Sequence, residues 1–97
     1  MKEIKKKMAK LIIPAGIRSQ IKADQEIELD ANNLKEALLQ ACKKCPELQQ
    51  YIFDADNKVR RFINIFVDNE DYRFLDGLET KLVETSEINL VMAVAGG

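Results

Sequence analysis

Residues 61–97 read Arg61-Phe-Ile-Asn-Ile-Phe-Val-Asp-Asn-Glu-Asp-Tyr-Arg-Phe-Leu-Asp-Gly-Leu-Glu-Thr-Lys-Leu-Val-Glu-Thr-Ser-Glu-Ile-Asn-Leu-Val-Met-Ala-Val-Ala-Gly-Gly97. The run 62–67 is β-branched and aromatic, and alternation sends Ile63, Ile65 and Val67 to one face of a strand and Phe62, Asn64 and Phe66 to the other. Residues 88–94 alternate in the same way, with Ile88, Leu90 and Met92 opposed to Asn89, Val91 and Ala93. Between these strands, Asp68-Asn69-Glu70-Asp71 reads as a turn into a short strand around Tyr72-Arg73-Phe74. Asp76-Gly77 turns the chain again, Leu78 and Leu82 cover the core, and residues 84–87 form a polar turn.

Upstream, residues 33–45 carry the helical period. Leu34, Ala37, Leu38, Ala41 and Cys42 fall at i, i+3, i+4, i+7 and i+8, one apolar stripe. Asn32 or Asn33 supplies the cap, and Glu36 lies three residues after Asn33 on capping-box spacing. Lys43 and Lys44 suit the last turn, and Pro46 stops the helix. Residues 9–13 and 25–29 alternate as half-buried strands joined by a longer loop that Pro14 and Gly16 open, which predicts a hairpin. Residues 46–53 add a helical turn over Leu48, Ile52 and Phe53, and residues 54–58 are a polar loop. The order is ββαβββ, a small α+β domain with one main helix across one mixed sheet of about five strands. No repeat or linker divides residues 1–97, which read as a single domain with a basic, mobile N-terminus at 1–7 and a flexible tail at 95–97.

Composition excludes several functions. The 97 residues contain no His, which removes His-based catalysis and His-containing metal sites. Cys42 and Cys45 form one CxxC with no second pair, too few for a structural zinc site or a four-cysteine iron–sulfur cluster. Their place at a helix C-terminus is opposite to what lowers a thiol pKa, so they read as packed helix-end residues and no metal is expected. No Ser or Thr sits in a nucleophile motif with a base, and the acid pairs Asp54/Asp56 and Asp68/Asp71 fall in turns, so no catalytic residue is assigned. The first ten residues hold five Lys and one Glu, while the rest of the chain is acidic and keeps its aromatics in strands; no nucleic-acid surface is expected. Leu11-Ile12-Ile13 is too short for a signal-peptide core of about 7–15 residues, and no run approaches the roughly 18 residues of a membrane span. A cytoplasmic protein without a membrane partner is expected.

Only four Gly are present, and two of them are Gly96 and Gly97. At ordinary Gly usage a terminal pair arises by chance in roughly one chain in 200. Such an ending presents its α-carboxylate on a thin arm: three residues from Ala95 reach about 10 Å. The absence of Cβ atoms leaves the carbonyl open to activation and attack. With this tail, the stretch RFINIFVDNEDYRFLDGLETKL followed by AVAGG resembles the MoaD/ThiS family of ubiquitin-like sulfur carriers, closest to the branch that carries sulfide for cysteine biosynthesis. The strong match covers about the last third of the chain. Asp68-Asn69-Glu70 stands where the family usually has Asn-Gly-Glu, and Met92 where it often has Pro.

The resemblance implies a β-grasp fold and a carrier, not an enzyme. Gly97 would be the adenylation and thiocarboxylate site, and Ala95 and Gly96 the tail that threads into a partner. No cofactor would be bound; a ubiquitin-activating-type adenylating enzyme would consume ATP. A sulfur donor would then act, followed by a sulfur-consuming enzyme, either cysteine synthase-like or a molybdopterin synthase large subunit. The carrier would be a monomer when free. Alternation places Phe62, Phe66, Val91 and Ala93 on the outward sheet face as a partner-docking surface. The alternatives are a molybdopterin synthase small subunit and a protein modifier conjugated through Gly97.

Overall fold

The computed structural model describes residues 9–92; the expectations for residues 1–7, for Ala93 and for the tail at 95–97 lie outside the described residues. The elements are β1 (Ala9–Ile12), α1 (Ala15–Arg18), β2 (Glu26–Leu29), α2 (Leu34–Lys44), α3 (Gln49–Ile52), β3 (Ile63–Val67), β4 (Glu70–Asp71) and β5 (Glu87–Met92). The five strands form one mixed sheet in the order β2-β1-β5-β3-β4, in which only β1 and β5 run parallel. This is the expected β-grasp arrangement: the hairpins β1–β2 and β3–β4 flank the central strand β5, and the main helix lies across the sheet.

Alternation within each strand makes the core. Ala9, Leu11 and Ile13, then Leu29, then Ile63, Ile65 and Val67, then Ile88 and Leu90 are all buried on the inner face. Against them α2 buries Leu34, Ala37, Leu38, Ala41 and Cys42, the stripe its spacing dictates. The α2 cap closes locally. Asn33 Oδ1 accepts from the Glu36 N–H at 2.9 Å, and Glu36 Oε1 accepts from the Asn32 N–H at 3.0 Å. The return bond therefore lands one residue earlier than a standard capping box places it.

Two departures from the sequence reading are informative. The loop after β1 contains the helical turn α1, entered at Pro14, whose fixed φ suits a helix start, and it drives Ile17 into the core. The strand expected around Tyr72-Arg73-Phe74 is instead a 3₁₀ turn, with β4 limited to Glu70–Asp71. The cause is the Asp71 carboxylate, which accepts from the Arg73 N–H at 2.9 Å and so diverts the backbone from ladder pairing.

The β3–β4 hairpin turns on Asp68 and Asn69 alone, with φ of 50° and 72°. Two consecutive left-handed residues are what a type I′ hairpin turn demands, and Asp and Asn tolerate that region better than other side chains. Asp68 also ties the hairpin to β5: its N–H donates to the Glu87 carbonyl at 2.9 Å, and its Oδ1 accepts from the Glu87 N–H at 2.9 Å. Leu82 is buried and Leu78 half-buried, as their expected role over the core requires.

Candidate functional site

The sheet face away from α2 is built by the alternate residues of each strand. One cross-strand row spans all five strands: Glu26, Ile12, Asn89, Phe66 and Asp71 stand in register from β2 to β4. The next row pairs Val91 with Asn64. Val91 therefore lies diagonal to Phe66, within reach of its ring on the same face. Phe62 immediately precedes β3 and is 37% exposed; Val91 is 43% exposed, and Phe66 is half-buried. The structure thus brings Phe66 and Val91 together and sets Phe62 at the end of the strand, while Ala93 and the tail residues Ala95, Gly96 and Gly97 lie outside the described residues. The Arg60 guanidinium lies 5.6 Å from the Phe62 ring centroid, and Arg60 Nε donates to the Gln50 carbonyl at 2.7 Å, so the ring is steadied from one side.

Two residues, one on this face and one beside it, were not singled out from sequence. Ile12 sits half-buried between Asn89 and Glu26. The alternation that sends Leu11 inward would have found it. Phe74 was assigned to a strand, and it is instead 83% exposed on the 3₁₀ turn after β4.

The face changes character across its width. Around β3 and β5 it sets Phe66 and Val91 among the neutral side chains of Asn64 and Asn89. Around β1 and β2 it is acidic: Lys10 stands in register with Glu28 and Glu87 and approaches Glu26 at 3.9 Å. At the β4 rim Arg73 grips Asp71 through two bonds, Nε to Oδ1 at 3.0 Å and Nη2 to Oδ2 at 2.7 Å, and Nη2 also donates to Asn64 Oδ1 at 3.4 Å. The hydrogen bonds from Arg73 hold the Asp71 carboxyl well below its usual 3.8, at about 2.

The remaining reactive side chains serve the fold. Cys42 and Cys45 are free and buried. Burial, then the neighbouring Cys45, pushes the Cys42 thiol up to about 11. Burial followed by the Glu47 carboxylate, 3.8 Å from the sulfur, raises Cys45. Thr80 Oγ1 donates to the Gly77 carbonyl at 2.6 Å, and Ser86 Oγ accepts from the Val83 N–H at 2.9 Å. Asp54 accepts from the N–H groups of Asp56 and Lys58, the turn chemistry expected of it. Among the described residues, no helix is long and apolar enough to cross a membrane.

What the arrangement can do is present a partly apolar face divided by its central strand. β5 runs through the middle of that face and its last described residue, Met92, lies opposite Ile63 at one end of β3. The sequence profile of the ThiS family matches residues 11–97. A putative sulfur carrier protein of Archaeoglobus fulgidus is 35% identical over 89 residues, covering 91% of this chain and 97% of that one. The sulfur carrier protein CysO of Mycobacterium tuberculosis is 45% identical over 40 residues, 41% of this chain; the match spans only 43% of that relative's length. Among solved structures, small archaeal modifier protein 1 of Methanosarcina acetivorans superposes with a TM-score of 0.82 at 28% identity, covering 93% of this chain and 96% of that one. The Amycolatopsis orientalis BexX/CysO complex gives a TM-score of 0.79 at 26% identity over 92% of this chain and 99% of the matched one.

Proposed function

The chain belongs to the ThiS family, a sulfur carrier of the ubiquitin-like type, and from that premise we propose that its sulfur rides on the carboxylate of Gly97. The observation that supports this reading most is that the family match extends to residue 97 and so takes in Gly96 and Gly97. In the proposed sequence, the Gly97 carboxylate attacks the α-phosphorus of ATP on an adenylating enzyme. Pyrophosphate leaves, and an acyl-adenylate forms. A sulfide equivalent then attacks the acyl carbon, AMP departs with its bonding electrons, and a thiocarboxylate remains.

This chain contributes no base and no nucleophile beyond its own end. Its task is to be gripped and to deliver that end, for which the face bearing Phe62, Phe66 and Val91 serves as the docking surface. A sulfur-consuming enzyme then takes up the charged carrier. The local similarity to CysO favours delivery toward cysteine or a related sulfur metabolite over delivery to a molybdopterin synthase large subunit.

A second reading, conjugation to other proteins through Gly97, draws on the likeness to small archaeal modifier protein 1. Intact-mass spectrometry separates the two. With ATP, sulfide and the cognate adenylating enzyme, exchange of one oxygen for sulfur adds about 16 Da at the Gly97 carboxylate. A ladder of higher-mass conjugates in cell extract would favour the modifier instead, and an unchanged mass under the charging conditions would sink the carrier reading.

A further inference from the structure

Phe74 is the most exposed of the large apolar residues described, at 83%, and it does not stand on a loose loop. Tyr72 and Leu75, which bracket Arg73 and Phe74, pack against the core, and the Leu75 N–H donates to the Tyr72 carbonyl at 3.0 Å. The preceding residue, Arg73, is held three ways: its N–H by Asp71 Oδ1, its guanidinium by both Asp71 oxygens, and one guanidinium nitrogen by Asn64 on β3. A turn clamped on both sides of an outward aromatic ring has little conformational freedom left to lose when the ring is buried by a partner, the property that makes rigid aromatics strong anchors.

The position of the turn matters as much as its rigidity. Asp71 stands opposite Phe66, and from the 3₁₀ turn that follows it the Arg73 side chain reaches Asn64 on β3. Asn64 is in register with Val91, one residue before the last described residue of β5. The clamp thus reaches the end of the sheet at which the described part of β5 stops. A protein that covers Val91 and extends across β3 meets the β4 rim, beside which Phe74 stands.

We propose that Phe74 is an aromatic anchor for the adenylating enzyme, seated in an apolar pocket beside the cleft that takes the tail, and that the Asp71–Arg73–Asn64 clamp holds its turn in place. The proposal rests on the carrier reading above. Its test is steady-state formation of the acyl-adenylate with the full chain as varied substrate. Phe74→Ala should raise the carrier KM roughly tenfold with kcat unchanged. Phe74→Tyr should return KM to within about twofold of wild type, and Arg73→Ala should raise it by an intermediate amount, with thermal melting unshifted for Phe74→Ala. A Phe74→Ala KM within about twofold of wild type overturns the anchor. So does a change from dimer to monomer in light scattering on Phe74→Ala, which would assign the ring to a second copy of this chain. Wild-type protein that is never adenylated sinks the carrier reading itself, a result distinct from either.

Discussion

Phe66 and Asn89 face one another across the β3–β5 ladder, and the row they define continues without a break to Asp71 on one side and to Ile12 and Glu26 on the other. Register of this kind decides how the proposed docking face can be probed. A carboxylate placed at Phe66 would stand directly opposite Asp71, adding like-charge repulsion within the sheet to any loss of binding. Val91 is the cleaner site, since its partner is the neutral Asn64. Val91→Asp should leave stability within about 1 kcal/mol of wild type, as is usual for an exposed position, while lowering kcat/KM for adenylation at least roughly tenfold. Chemical denaturation beside an adenylation assay checks both, and unimpaired adenylation would exclude Val91 from the interface.

The Asp71 carboxyl titrates at about 2, below its ordinary 3.8, because Arg73 bonds the charged form. A group depressed in the folded state contributes stability above its unfolded pKa and loses it as pH falls through the folded value. The contribution is therefore complete above about pH 4 and fades between there and about pH 2. Asp71→Asn should flatten the dependence of melting temperature on pH in that window and leave the profile above it parallel to wild type. An identical acid slope in the variant would show that the pair contributes nothing to folding.

Local chemistry made most of this fold readable. The helix α2 was legible because both its signals, a 3.6-residue apolar period and an Asn cap, lie within its own span. The strands β3 and β5 were legible because Ile63, Ile65, Val67, Ile88 and Leu90 alternate strictly. Phe74 was misplaced because its environment is set by a side-chain clamp from Asp71 through Arg73 to Asn64, nine residues from Arg73 in sequence, which no period reports. Ile17 was passed over because Pro14 and Gly16 announce a break, whereas the burial of Ile17 depends on the sheet beneath α1. Of the residues proposed for docking, the outward placement of Phe62, Phe66 and Val91 followed from alternation alone. That of Phe74 did not.

The thiols give a prediction about reactivity. Raising Cys42 from an ordinary 9.0 to about 11 lowers its thiolate fraction at pH 8 by about a hundredfold, and the thiolate is the species that alkylates. Iodoacetamide at pH 8 should therefore label Cys42 in the native protein at least about a hundredfold more slowly than in denaturant, since burial adds to the effect. Native labelling at a rate near that of a free thiol would require Cys42 to be activated, contrary to its place at the C-terminal end of a helix.

The cap of α2 predicts a stability loss without a functional one. Asn33→Ala leaves the Glu36 N–H without its side-chain acceptor and should cost about 1 kcal/mol. For a domain of this size that is a fall in melting temperature of roughly 4–8 °C. Because the cap lies away from the outer sheet face, adenylation at 20 °C should be unchanged. A loss of adenylation without a loss of stability would mean that this helix end, too, meets the partner.

Thr80 carries the strongest stability prediction, because one buried hydroxyl there holds two backbone groups. It donates to the Gly77 carbonyl at 2.6 Å and accepts from the Asp76 N–H at 3.1 Å, closing the turn in which Gly77 takes a φ of +60°. The same residue docks that turn on the helix, since its carbonyl accepts from the Leu34 N–H at 2.9 Å. Thr80→Val keeps the volume but leaves a part-buried N–H and carbonyl without the hydroxyl, and should cost about 1–3 kcal/mol. Thr80→Ser keeps the hydroxyl and loses only a methyl, so its cost should be the smaller of the two. The order of the two melting temperatures carries the argument: wild type above Ser above Val means that the hydroxyl closes the turn, whereas Val above Ser would mean that packing of the methyl groups holds it.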